Sequence, residues 1–321
     1  MKNVNTWFKH ISGDNIENKK EKNFLEYRRK WMEWPEVYNI ENFPLFLDIE
    51  VTNVCNLRCH FCETTISGFN YQKGFISKEH VEKIIDEGSN NGLYGVKFNI
   101  RGEPLLHPLI DYFVKYAKEK GLIDVYFNTN AVLLTDDMVR KLIDAKLDRI
   151  SISFEGYTKE IYEKNRIYSS YDLVLKNIEN LQKVKKELNV NYPVVRIQTV
   201  KLPDIDIDKY ERFWKSRVEE VACLEYQNMN CRTTGLVSSW KCPQLWQRMG
   251  ILWDGDVRPC NRDHKSSVKL GNIENTSIKK CWNSSEVKEM RLIHRRGEAH
   301  LIKACDGCYL RNSEISRQES E

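Results

Sequence analysis

The chain has 321 residues, 41% hydrophobic and 30% charged, enough to bury a full core as one large domain with a smaller companion, which excludes a disordered chain. Its 50 basic and 46 acidic residues are spread along the whole length for a net charge of +4, so no single-sign stripe marks a nucleic-acid surface. The apolar runs, such as 43–51, are far shorter than the ~20 residues of a membrane span, and the opening MKNVNTWFKHISGDN has no apolar signal core. The expected setting is therefore the cytoplasm, with neither membrane nor nucleic acid as partner. Ten cysteines in a reducing compartment point to metal binding rather than to a disulfide framework.

Residues 1–42 are polar and rich in Lys, Glu and Asn, with Trp7, Phe8, Trp31 and Trp34 as isolated aromatics, and read as an extension of one or two short helices. From Phe43 onward, short apolar runs alternate with longer amphipathic stretches. The runs 45–51, 96–100, 124–128, 149–154, 194–200 and 221–226 are predicted strands. The stretches 77–88, 109–120, 135–146, 171–188 and 206–218 are predicted helices, several opening on Ser, Thr or Asp as N-caps. This alternation over 43–238 predicts an α/β fold, a partial (β/α)6 barrel whose ligand site lies at the C-terminal ends of its strands.

After about Ser239 the alternation stops. A hairpin is predicted over 249–260, turning at Asp254-Gly255, and a helix over 277–294 carries Ile278, Trp282, Val287 and Leu292. This small C-terminal domain, 239–312, is too poor in apolar residues to hold together without metal, and 313–321 is a tail.

The cysteines are grouped. Cys55, Cys59 and Cys62 lie on the loop that follows the first predicted strand, and Cys242, Cys260, Cys305 and Cys308 lie in the last quarter. A structural zinc site wants four closed ligands, whereas three thiolates on an iron–sulfur cube leave one iron open. The four later cysteines suit structural zinc as well as iron–sulfur by spacing alone. Polar residues gather at the other strand ends: Gly102 and Glu103 after the second, Asn130 after the third, Ser153 and Glu155 at the fourth. Arg196 and Gln198 share one face of the fifth, where they must be hydrogen-bonded or face a cavity.

Cys55-x3-Cys59-x2-Cys62, with Phe61 before the last cysteine, resembles the defining loop of the radical S-adenosylmethionine (SAM) superfamily. The resemblance implies that the open iron is chelated by SAM, and that one electron splits SAM to a 5′-deoxyadenosyl radical that abstracts hydrogen from a C–H bond. The electron would come from a flavodoxin- or ferredoxin-type donor. Arg101-Gly102-Glu103-Pro104 resembles the family's Gly-Gly-Glu-Pro motif with Arg101 at the first glycine, implying Gly102 and Glu103 as SAM contacts. Thr129-Asn130-Ala131 is similar to its Thr-Asn-Gly turn, and Ser153-Phe154-Glu155 to its Ser-x-Asp element, implying Asn130, Ser153 and Glu155 at the same site, with Phe61, Arg196 and Gln198 as further contacts.

KCPQLW, ILWDGDVRPCNRD, LGNI and CDGCYL resemble the C-terminal SPASM domain in a shorter, one-cluster, twitch-like form, implying an auxiliary [4Fe–4S] cluster on Cys242, Cys260, Cys305 and Cys308. The spacing is similar to that of the radical SAM dehydrogenase acting on 2-deoxy-scyllo-inosamine. The expectation is an oxidoreductase that dehydrogenates a small hydroxylated molecule such as a sugar or aminocyclitol. An epimerase, with Cys231 in the stretch NMNCRTTG returning hydrogen, is a second route. A peptide- or protein-modifying enzyme, with the N-terminal extension as its binding element, is a third. A zinc-ribbon interaction protein is the non-enzyme alternative. Cys223 and Cys281 read as buried small hydrophobes.

Overall fold

A computed structural model of the chain describes residues 8–13, 21–66, 72–226, 242–263, 267–308 and 310–312. In chain order the elements are β1 (Phe8–Gly13), α1 (Lys22–Val37), β2 (Phe46–Ile49), α2 (Glu63–Ile66), α3 (Lys78–Asn90), β3 (Gly95–Lys97), α4 (Ile110–Glu119), β4 (Asp124–Thr129), α5 (Asp136–Asp144), β5 (Arg149–Ser153), α6 (Lys159–Asn165), α7 (Tyr171–Glu187), β6 (Val194–Val200), α8 (Ile207–Trp214), β7 (Glu220–Leu224), α9 (Gln244–Gln247), β8 (Arg248–Ile251), β9 (Asp256–Arg258), β10 (Gly271–Asn272), α10 (Ile278–Trp282) and α11 (Ser285–Arg295). The predicted strands form the parallel run β2 to β7, adjacent in sequence order within a sheet ordered β1-β7-β6-β5-β4-β3-β2-β8-β9-β10. Helices begin where the sequence offers caps: the side chains of Ser77, Thr135, Ser170 and Asp206 each accept the backbone N–H three residues on.

Alternation along the strands divides the sheet into two faces. Leu47 and Ile49 of β2, Val125 and Phe127 of β4, Ile150 and Ile152 of β5, and Val195 and Ile197 of β6 point outward into the core made with the helices, all fully buried. Each such side chain contributes about 1.5–3 kcal/mol. The opposite residues fill the barrel in layers set by the register. Asp48, Lys97, Tyr126 and Arg149 are paired neighbours at one level. Asn128, Ser151, Arg196 and Glu220 lie at the next, and Ser153 and Gln198 at the one above.

The N-terminal region departs from expectation. It contains a strand as well as a helix: β1 runs antiparallel to β7 and covers the outer edge of the parallel run. Main-chain pairing at an edge demands no apolar pattern, so FKHISG gave no strand signal. Helix α1 seals the opposite end of the barrel from the strand C-termini. Phe24, Tyr27, Trp31 and Trp34, spaced along one helical face, are all buried in a cluster with Leu45 and Phe46. Gln247 Nε2 donates to the Trp31 carbonyl at 2.7 Å, and the Tyr27 hydroxyl to Asp124 at 3.2 Å. The apolar face of α1 is thus spent on the barrel's end and is not presented to solvent.

The expected hairpin is β8 with β9, turning at Gly255 with φ +84°. Beyond expectation, β8 also pairs in parallel with β2, so the C-terminal segment continues the same sheet. The single helix expected over 277–294 is two helices, because Asn283 ends α10 and the Ser284 hydroxyl caps α11 by accepting from Val287 N–H. No helix among the described residues is long and apolar enough to cross a membrane.

Candidate active site

The cysteine loop leaves β2 and is tied down by its own polar residues. Thr52 Oγ1 donates to the Gly74 carbonyl at 2.7 Å and accepts from Val54 N–H at 3.0 Å. The Glu103 N–H donates to the Val54 carbonyl at 2.8 Å, joining the loop to the Arg101–Glu103 turn. Gly102 sits there with φ +70°, and a Cβ on it would lie 2.4 Å from the Thr52 carbonyl oxygen. Only glycine lets these two backbones approach.

Around this junction a cavity of about 310 Å³ opens at the C-terminal ends of the strands, the position at which such barrels bind ligands. Cys55, Cys59 and Cys62 line it, together with Phe61, Gly102, Glu103, Asn130, Ser153, Glu155 and Gln198. Both Glu103 oxygens are engaged: Oε1 accepts from Thr129 Oγ1 at 2.6 Å and Leu105 N–H at 3.1 Å, and Oε2 from Asn130 N–H at 2.7 Å. The carboxylate thus fixes the turn after β4, and burial raises its pKa. Asn130 Nδ2 in turn donates to Asn56 Oδ1 at 2.8 Å inside the cysteine loop. Ala131, where the family turn has glycine, takes the left-handed conformation at φ 57°. Gln198 Nε2 reaches Ser153 Oγ at 3.4 Å across β5 and β6.

Arg196 corrects an expectation. It lies one layer below Gln198, level with Ser151, and its guanidinium bonds Glu220 at 2.6 Å rather than lining the cavity. Arg101 shows how an arginine fits at a glycine position: its side chain turns onto the fully buried Glu50, bonding it in bidentate fashion at 2.6 and 2.8 Å. Glu155 lines the cavity, with its carboxylate bound to Arg166 and accepting from Val200 N–H at 3.3 Å. Arg166 lies over the Phe61 ring at 5.6 Å. No motif marked Arg166, which follows α6 in a loop; nothing in its local sequence sets it apart.

Burial pushes the Cys59 thiol up to about 11, opposed by the nearby Arg166 charge, and raises Cys55 as well. Buried sulfurs of this kind become thiolates when a metal supplies compensating charge. The cavity wall offers three sulfurs among the described residues, too few for a closed four-ligand metal and matched to a cluster with one open iron.

Cys242, Cys260, Cys305 and Cys308 converge on a second, closed pocket with Leu245, Met290 and Leu310. Burial and the proximity of the other sulfurs push Cys260 up to about 12 and raise Cys242 and Cys305 well above their ordinary value. Four sulfurs in an apolar shell fit a fully ligated cluster. His294 stands among them, and burial lowers its pKa to about 4. It shares the buried face of α11 with Val287, Met290 and Arg291, a spacing from which its inward direction is readable. Arg262 lines both this pocket and the larger cavity. Cys223 and Cys281 are buried and line neither pocket. Cys231 lies outside the described residues.

Comparison with known proteins agrees with this construction. Residues 49–205 match the radical SAM superfamily and residues 242–309 match SPASM, an iron–sulfur cluster-binding domain. The chain belongs to the radical SAM superfamily and carries a SPASM domain; its cofactors are SAM and [4Fe–4S] clusters. A curated relative, GTP 3′,8-cyclase of Aliarcobacter butzleri, is 31% identical over 184 residues, 56% of this chain and 55% of that protein. The GTP 3′,8-cyclase of Clostridium botulinum is 29% identical over 177 residues, 52% of this chain and 51% of that one. The chain thus spans about half the length of the curated relatives it matches. Among solved structures, BtrN in complex with AdoMet and 2-DOIA aligns over 84% of this chain and 94% of that one, with TM-score 0.58 and 16% identity. Streptococcus suis SuiB bound to S-adenosylmethionine aligns over 85% and 74%, with TM-score 0.61 and 17% identity. At those identities the likeness is one of fold.

Proposed function

We propose that this enzyme holds SAM in the barrel cavity against a [4Fe–4S] cluster on Cys55, Cys59 and Cys62, and oxidises a small hydroxylated substrate such as a sugar or aminocyclitol with the help of a second [4Fe–4S] cluster on Cys242, Cys260, Cys305 and Cys308. Bound there, these groups supply a 5′-deoxyadenosyl radical that takes a hydrogen atom from a C–H bond, and an acceptor for the electron released in a net two-electron oxidation. The chain's own residues orient and enclose. Gly102 leaves room for main-chain contact, and Asn130, Ser153 and Gln198 present hydrogen-bonding groups to SAM around the cavity. Glu103 holds the Asn130 turn in place. Arg166, oriented by Glu155, brings positive charge beside Cys59, where it faces an anionic group such as the SAM carboxylate. Phe61 walls the cavity and stacks under Arg166. An external flavodoxin- or ferredoxin-type protein delivers the electron that starts each turnover.

The observation that carries the oxidation reading is the shared wall. Arg262 lines both the cavity and the four-sulfur pocket, so a substrate radical in the first lies next to an electron acceptor in the second. Epimerisation by Cys231 rests on a residue outside the described ones. A nucleotide substrate is a second reading, favoured by the similarity to GTP 3′,8-cyclases over about half of each chain. That similarity weighs less because it extends over only about half of each chain, whereas the four-cysteine pocket and its shared wall support the oxidation reading.

The test is to incubate the reduced, reconstituted enzyme with SAM and either aminocyclitols, sugars or GTP in deuterated water. A product two hydrogens lighter without solvent deuterium supports oxidation of a hydroxylated carbon. Solvent deuterium at an inverted carbon supports epimerisation, and turnover of GTP alone supports the nucleotide reading.

A further inference from the structure

The four-sulfur pocket is mostly apolar, with Leu245, Met290, Ala304 and Leu310 around the cysteines. Gln244 and Arg262 also line it, and His294 stands against two of its cysteines. His294, 1% exposed, lies between two of the cysteines: the backbone N–H of Cys242 donates to Nδ1 at 3.4 Å, and Nε2 lies 3.4 Å from Cys305 Sγ. Because a backbone N–H can only donate, Nδ1 is an acceptor, and the proton of the neutral ring is on Nε2. The imidazole therefore points an N–H at the Cys305 sulfur. Arg262 meets a different cysteine. Its backbone N–H donates to Cys260 Sγ at 3.4 Å, and its side chain runs along the wall between pocket and cavity.

Hydrogen bonds to the sulfurs and nearby positive charge are the protein's means of setting a cluster's potential, because each stabilises the more negative, reduced state. We propose that His294 and Arg262 are positioning residues that poise the auxiliary cluster to accept an electron, His294 through its N–H on Cys305 and Arg262 through its charge at the shared wall. The inference rests on the reading that the four cysteines hold that cluster. The step involved is a one-electron gain: the hydroxyl-bearing substrate radical left by hydrogen-atom loss gives its electron to the cluster and its hydroxyl proton to solvent as the C–O bond becomes a carbonyl, and no bond at the sulfurs forms or breaks.

The test uses the full chain carrying Cys55→Ala, Cys59→Ala and Cys62→Ala, so that the auxiliary cluster alone reports, with its midpoint potential followed by electron paramagnetic resonance during reductive titration. His294→Phe and Arg262→Gln should each disfavour reduction by about tenfold, equivalent to about 59 mV for one electron. His294→Gln and Arg262→Lys, which keep a donor and a charge, should stay near the parent. Electron–nuclear double resonance should show an exchangeable proton coupling that His294→Phe removes and Arg262→Gln retains. Potentials that stay within about twofold of the parent in iron-loaded His294→Phe and Arg262→Gln would overturn the inference. A parent that binds no iron at its four remaining site cysteines would instead overturn the cluster assignment on which it rests.

Discussion

The Glu50–Arg101 pair makes a quantitative test of how the SAM-side turn is held. Glu50 is fully buried, and the Arg101 side chain is 7% exposed. Two guanidinium bonds of 2.6 and 2.8 Å are joined by an Arg101 main-chain N–H at 3.3 Å to the same carboxylate. Glu50→Gln leaves a buried guanidinium without its countercharge, and Arg101→Met leaves a buried carboxylate without its own; each should cost about 3–5 kcal/mol. At roughly 2 °C per kcal/mol for a long chain, that is a fall of about 6–10 °C in the melting temperature of the reconstituted enzyme. The double variant, with neither charge, should lose much less than the sum of the two, giving a coupling of at least about 2 kcal/mol in the thermodynamic cycle. Since Arg101 adjoins Gly102, the single variants should also weaken SAM binding, read by equilibrium dialysis. Additive losses, or single losses under about 1 kcal/mol, would refute the claim that the pair is a coupled buried unit.

Gly102→Ala places a methyl 2.4 Å from the Thr52 carbonyl at a left-handed φ. It should displace the cysteine loop, so that iron analysis finds the loop cluster lost and the auxiliary one retained. His107 accepts from Leu109 N–H at Nδ1 and faces the Ile76 carbonyl with Nε2 at 3.0 Å. Burial lowers its pKa below 6.5. The unfolded chain then binds the extra proton, so the stabilisation is present above about pH 6.5 and is lost as pH falls toward the folded pKa. Melting temperatures from pH 7.5 to 5 should fall less steeply in His107→Asn, whose Oδ1 can replace Nδ1; an identical slope contradicts the assignment. Trp31→Ala, in the plug at the barrel's closed end, should cost about 3–5 kcal/mol yet leave SAM cleavage at low temperature intact, because α1 lies at the opposite end from the cavity. Loss of cleavage in a folded, iron-loaded variant would give α1 a direct role.

The strands β2 to β7 were legible because burial on both faces of a parallel sheet writes itself as short apolar runs, and the helices because Ser77, Thr135, Ser170 and Asp206 mark their starts locally. The cavity's cysteines and turn residues were legible because each strand end carries its own motif. Arg196 and Gln198 were indistinguishable by the same reasoning: both lie on one strand face, and only pairing with Ser151 and Ser153 shows which is buried on Glu220 and which reaches the cavity. Pairing between distant segments also hid β1 at the β7 edge and β8 beside β2. Arg166 reaches its site through tertiary placement alone, which no spacing in the chain encodes, whereas Arg262 stands two residues beyond Cys260 and bonds its sulfur locally.

Iron stoichiometry combined with 5′-deoxyadenosine formation tests the central assignment most directly. Anaerobically reconstituted enzyme should bind about eight irons as two [4Fe–4S] clusters and release 5′-deoxyadenosine from SAM on reduction. Joint replacement of Cys55, Cys59 and Cys62 by Ala should leave about four irons and no cleavage. Replacement of Cys242, Cys260, Cys305 and Cys308 should also leave about four, with cleavage retained and substrate oxidation lost. Cleavage that survives loss of the first three cysteines, or a colourless protein holding zinc at either site, would contradict the account.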